Sequence, residues 1–189
     1  MNSRTSKGKM INPTFFVFCE GETEEAYIKY LRSIYRLPIE IEPKIAGDRI
    51  SNRYISDYKK HKFVHSKDKT FLIYDWDVDV IQQRLCKIKD VHLLSSNPCF
   101  EFWYLIHCQN QTAHLSSEEC ITKLKNHIST YKKGALEDKL KNKLIENKSK
   151  SISRAKALVE FCNPSTTVYK LVEELDTIKS IKSCDHSFI

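Results

Sequence analysis

The chain has 189 residues, 41% of them hydrophobic and 11% aromatic, which is enough for one packed domain and excludes a disordered polymer. Lys and Arg number 31 against 24 Asp and Glu, a net charge of +7, which fits either a polyanionic partner or a merely soluble surface. Only 4 Gly and 5 Pro argue against a repeat or loop-rich architecture, and no apolar run approaches the ~18 residues of a membrane span.

The polar, basic start of the chain lacks the apolar core of a secretory signal, so a cytoplasmic protein is expected. The 7 cysteines are scattered and odd in number, with no C-x-x-C pair. That suits neither a disulfide framework nor a zinc site and reads as reduced, packed thiols.

In chain order, residues 1–13 read as a flexible basic arm. T-F-F-V-F-C at 14–19 is a buried strand, with Glu20 as its last residue and Gly21 breaking it. Ala26, Tyr27, Tyr30, Leu31 and Ile34 follow at helical spacing, and Pro38 closes that helix. Ile39, Ile41 and Ile45 alternate as in an edge strand, with Pro43 consistent with an edge. A second helix is expected from Gly47 to about Lys60. T-F-L-I-Y at 70–74 is the clearest buried strand, and a helix over 80–89 and a fourth strand at 91–94 follow.

The Ser/Asn-Pro sequence before C-F-E-F-W-Y-L-I-H then marks an apolar helix over 95–107. After residue 112 only helices are expected, the last capped by 163–167 and ending near 179, with 180–189 as a tail. The alternation predicts an α/β fold: a four-stranded, mostly parallel sheet flanked by helices over 14–112, and a helical extension over 113–179 packed on it.

In such sheets ligands bind beyond the carboxyl ends of the strands. Glu20 and Glu24, four apart, can face one side of the first strand-to-helix turn. Asp75 and Asp77, two apart, would point the same way if the third strand stays extended, and Asp79 would join them only if that geometry persists. Two such charges ~4 Å apart repel by about 4 kcal/mol at an effective dielectric of 20. A hard cation relieves that repulsion, and an all-oxygen set suits Mg²⁺ or Mn²⁺. The 7 histidines show no metal-binding spacing, and neither a G-x-x-x-x-G-K-[ST] nor a G-x-S-x-G motif is present.

F-V-F-C-E-G-E-T-E at 16–24 with I-Y-D-W-D-V-D at 73–79 resembles the Toprim domain shared by topoisomerases, primases and OLD-type nucleases. S-N-P-C-F-E-F-W-Y-L-I-H at 96–107 and N-P-S-T-T-V-Y-K-L-V-E-E-L at 163–175 resemble more specifically the RloB-like branch. The resemblance implies a Toprim-like fold and a Mg²⁺- or Mn²⁺-dependent nuclease acting on DNA or RNA. It also implies a separate ABC-type ATPase as partner in an anti-phage (abortive infection or restriction-linked) module.

By the same resemblance Glu20 is the Toprim glutamate, with Glu24, Asp75 and Asp77 as its partners at the metal and Glu101 as a second-tier ligand. Asn97 either orients substrate or a carboxylate, or caps the helix before Pro98. Lys156 and Arg154 are candidates for a cation at the scissile phosphate, or lie on a solvated helix face. Lys132, Lys133, Lys139, Lys141, Lys143, Lys148 and Lys150 form basic clusters that suit phosphates, an acidic partner surface, or solvent alone. The alternative function is a non-catalytic module that docks on an ATPase or on nucleic acid.

Overall fold

The computed structural model describes residues 12–185; most of the expected arm, 1–11, and the end of the expected tail, 186–189, lie outside them. Strands β1 (Thr14–Cys19), β2 (Glu40–Ile45), β3 (Lys69–Asp75), β4 (His92–Asn97) and β5 (Ser165–Thr166) form one sheet in the order β2-β1-β3-β4-β5. The first four run parallel, while β5 pairs antiparallel with β4.

The all-apolar run of β1 is explained by burial on both faces. Phe15, Val17 and Cys19 face one core with Ile73 and with Tyr27, Ile28 and Leu31 of α1 (Glu22–Tyr35). The apolar helix α4 (Glu101–Cys108) packs into the same core. Phe16 and Phe18 face a second core with Leu72, Ile55 of α2 (Asn52–Lys59) and Leu85 of α3 (Asp79–Leu85). Covering both faces of a parallel sheet in this way is the α/β layer arrangement the alternation predicts. Helices α5 (Ser117–His127), α6 (Asp138–Glu146), α7 (Lys148–Lys156) and α8 (Tyr169–Asp185) supply Leu124, Leu140, Ala155 and Leu171 to the first core.

Four boundaries differ from expectation. A fifth strand stands where only helix was expected, because Thr166 pairs with Ser96 and Ser165 with Asn97. For the same reason β4 runs on through Ser95, Ser96 and Asn97, and α4 begins only at Glu101; the Ser95 amide donates to Thr167 Oγ1 at 2.8 Å, so hydroxyls that resemble a helix cap join two strands instead. Gly47–Arg49 is a 3-10 turn, with α2 starting at Asn52 behind the Ser51 cap. The last helix continues to Asp185, past the end expected near 179. Among the described residues no helix is long and apolar enough to cross a membrane.

Candidate functional site

Glu20 is the first residue beyond β1, not its last. Its amide still donates to Ile73 O at 3.1 Å, which holds it alongside β3. Its carboxylate accepts the Asp75 amide at 2.8 Å, and this cross-strand bond brings the two sheet ends together. Gly21 caps α1 in an extended conformation that any residue can adopt. The Glu24 carboxylate folds back over this position, its Oε2 accepting the Gly21 amide at 2.9 Å. Glu24 is 5% exposed and Glu101, at the start of α4, only 2%.

Burial without matching positive charge shows in the acid strengths. Burial, reinforced by the Glu20 and Glu24 carboxylates, pushes Asp75 up to about 10. Burial, with Glu101 and Glu20 adding, raises Glu24 to about 7. Glu20 is raised as well, by burial first and then by Asp77 and Asp48, against the Asp75 amide and Lys133. Asp75 Oδ1 is buried with no hydrogen-bond partner. Such an atom is costly and uncommon.

Glu20, Glu24, Asp75 and Glu101 are thus linked through charge, with Glu101 acting on both Glu24 and Asp75. The Glu101 carboxylate accepts Tyr131 Oη at 2.7 Å. Asp77 lies beyond the end of β3, solvent-exposed, and acts on Glu20 through charge. Asp79 opens α3, exposed, because helix onset ends the extended run. Asn97 neither caps α4, whose cap is Phe100, nor holds a carboxylate; its Nδ2 donates to Phe161 O at 3.0 Å. Among the described residues no three His, Cys, Asp or Glu side chains are already gathered as a metal-binding group, and Glu20 and Glu24 each have an oxygen tied to a backbone amide.

The cationic candidates separate in the same way. Lys156 pairs with Glu173 at 2.6 Å and lies over the Tyr169 ring, and Arg154 donates to Ile106 O at 2.6 Å. Neither is at the rim. Lys133, in the turn between α5 and α6, is exposed, and its charge acts on both Glu20 and Glu118. Tyr131 is tied to Glu101, and the Gly134 amide donates to Thr23 Oγ1 at 3.1 Å.

Gly134 has φ +75, and a Cβ there would stand 3.0 Å from Glu22 Oε2, so glycine lets this turn close on α1. The K-K-G sequence at 132–134 was the only available signal for this placement. Of the remaining lysines, Lys141 pairs with Asp138 at 2.9 Å, Lys143 with Glu146 at 3.3 Å and Lys148 with Asp176 at 2.8 Å, whereas Lys132, Lys139 and Lys150 are exposed.

Cavities of about 630 Å³, beside Pro13, Phe15 and Lys69, and about 220 Å³, between α1, α4 and α8, lie away from the carboxylates. No curated protein and no solved structure matches the chain. The family model described as RloB-like protein matches residues 15–175, a span that runs from β1, through the carboxylate rim and the strand pairing of β4 with β5, into α8. The chain therefore belongs to the RloB-like family.

Proposed function

We propose that the protein is a divalent-cation-dependent nuclease that hydrolyses phosphodiester bonds of DNA or RNA, working with a separate ABC-type ATPase in anti-phage defence. The observation that carries this reading is the orphaned, buried Asp75 Oδ1 beside Glu20, Glu24 and Glu101. An oxygen in that position needs a proton or a cation, and an all-oxygen donor set fits Mg²⁺ or Mn²⁺. Asp75, Glu20 and Glu24 would hold it, with Glu101 and Asp77 nearest to add to them. A cation so bound supplies a Lewis acid for the phosphoryl oxygens and lowers the pKa of a coordinated water.

The chain's own groups prepare the site. Asp75 and Glu24 keep their protons readily until a cation takes their place. The Asp75 amide fixes the Glu20 carboxylate at the sheet end. Lys133 brings a positive charge to that carboxylate, where it can hold a substrate phosphate. The ATPase enters through the family resemblance, together with the lack of a G-x-x-x-x-G-K-[ST] loop in this sequence.

One observation favours a second reading, a non-catalytic module: Glu20 and Glu24 each bond a backbone amide, with no three-ligand group already assembled among the described residues. The test is to incubate the protein, alone and with the ATPase, with DNA and RNA in Mg²⁺, Mn²⁺ or chelator. Cation-dependent cleavage that Asp75→Asn abolishes supports the nuclease. Tight nucleic-acid or ATPase binding with no cleavage under any of these conditions supports the binding module.

A further inference from the structure

The rim also carries an aromatic pair that the carboxylate chemistry leaves unused. Trp76 lies between Asp75 and Asp77, half-buried, and its ring meets that of Phe161 with centroids 4.7 Å apart and planes at 50°. Phe161 is 41% exposed and has φ +68, a left-handed backbone that is unfavourable for a bulky side chain. Both rings are fixed to the end of one strand. The Trp76 amide donates to Ser96 O at 2.7 Å, and Asn97 Nδ2 donates to Phe161 O at 3.0 Å. The two segments that meet here also present Val78, Val80 and Val159 to solvent.

A strained residue that turns an aromatic ring to water gains little from burial, and strain of this kind gathers at functional sites. We propose that Trp76 and Phe161 form a stacking platform for an unpaired nucleobase, so that the substrate is single-stranded or locally unpaired nucleic acid. This deepens the nuclease reading and rests on it. Only an unstacked base offers a free face to an aromatic ring, since both faces of a base within a duplex are covered by its neighbours. The order of the sheet puts the acids in the middle. The turn that carries Lys133 lies on the β1 side, held against the start of α1 by the Gly134 amide on Thr23 Oγ1, and the platform on the β4 side, with Asp75 of β3 between them. A strand with its phosphates toward Lys133 and a base on the platform crosses the carboxylates, and the net charge of +7 suits its backbone.

The test is binding in chelator, where cleavage plays no part, using labelled oligothymidylate and oligouridylate of roughly 20 nucleotides and a duplex of the same length. Of the 2 tryptophans, Trp103 is fully buried, so fluorescence quenching reports on Trp76. Single strands should bind at least about tenfold more tightly than duplex and quench that fluorescence. Phe161→Gly relieves the backbone strain, so it should melt no lower than wild type and yet lose at least about fivefold in single-strand affinity.

Equal affinity for single strand and duplex, an unquenched tryptophan, or wild-type binding by Phe161→Gly each overturns the platform. In the last case a protein partner is the better occupant of the pair. Mg²⁺-dependent cleavage of a duplex that Phe161→Gly leaves intact would remove the platform and keep the nuclease, whereas no cleavage of any substrate beside normal quenching would do the reverse.

Discussion

His107, near the end of α4, is as deeply buried as Glu101 at its start, 1% against 2% exposed, yet the two ends of this helix treat polar burial in opposite ways. Around His107 both ring nitrogens are matched: Nδ1–H donates to Trp103 O at 2.8 Å and Nε2 accepts from Ser151 Oγ at 2.9 Å. Burial pushes His107 down to about 4, so it stays neutral, and no charge is trapped. Around Glu101 four carboxylates crowd together, two of them raised to about 7 and about 10, and one oxygen has no partner. A satisfied buried network holds helices together, whereas an unsatisfied one of like charge is unfavourable until a ligand arrives. The first ties α4 to α7, and the second is the candidate site.

The largest effect that sharpens this contrast is on stability. His107→Ala leaves a cavity and removes two hydrogen bonds, for a loss of about 3 kcal/mol, or roughly 6–12 °C in Tm for a chain of this size. Asp75→Asn, measured in chelator, should do the opposite and raise Tm by roughly 2–4 °C, since an amide is buried without the cost of taking up the proton that an unfolded carboxyl lacks at neutral pH. Calorimetric melts of both variants check this. A lower Tm for Asp75→Asn in chelator would make that carboxylate a structural group.

The two ends should also respond to pH with opposite sign. His107 has a folded pKa of about 4, below its ordinary 6.5, so the stability it contributes is present above 6.5 and is lost as pH falls toward 4. Asp75 and Glu24 have folded values of about 10 and about 7, above those of the unfolded chain. Their contribution is present below about 4 and is lost as pH rises through 7 and toward 10. In metal-free protein the two acids therefore lower stability as pH rises from about 4 toward 10, and His107 lowers it as pH falls from 6.5 toward 4. The alkaline fall should flatten in Asp75→Asn and the acid fall in His107→Phe, as thermal scans from pH 4 to 10 in chelator will show.

The smallest effect concerns the lysines of the helical extension. Lys141, Lys143 and Lys148 are already paired with Asp138, Glu146 and Asp176, so reversing them to Glu should change the salt dependence of nucleic-acid binding little. Reversing Lys132 and Lys133 should flatten the log–log slope by about 1 to 2, at roughly 0.9 per phosphate contact on duplex or 0.7 on single strands. Equal slopes for the two sets would make this surface a general one.

The site's frame was legible because two sheet strands, β1 and β3, are buried on both faces and so read as unbroken apolar runs, and the acids at their ends follow directly. Glu101, Lys133 and the Asn97–Phe161 bond were not legible as a set. Each depends on an interaction across many residues of chain: a hydrogen bond to Tyr131, a charge effect on Glu20 and a hydrogen bond to the segment before β5. Two-residue β5 left no periodicity, and Ser95-Ser96-Asn97 looked like a helix start because the hydroxyls that cap helices also link strands.

The most direct measurement is calorimetric titration of Mn²⁺ into the protein at neutral pH, in two buffers of different ionisation enthalpy. If the carboxylates at the sheet end are a cation site, binding releases about one proton or more, because Asp75 and in part Glu24 are protonated beforehand. The release should shrink as pH approaches 10, and Asp75→Asn should weaken binding by at least about tenfold. Mn²⁺ binding with no proton release and no loss in Asp75→Asn would place the cation elsewhere and contradict the assignment.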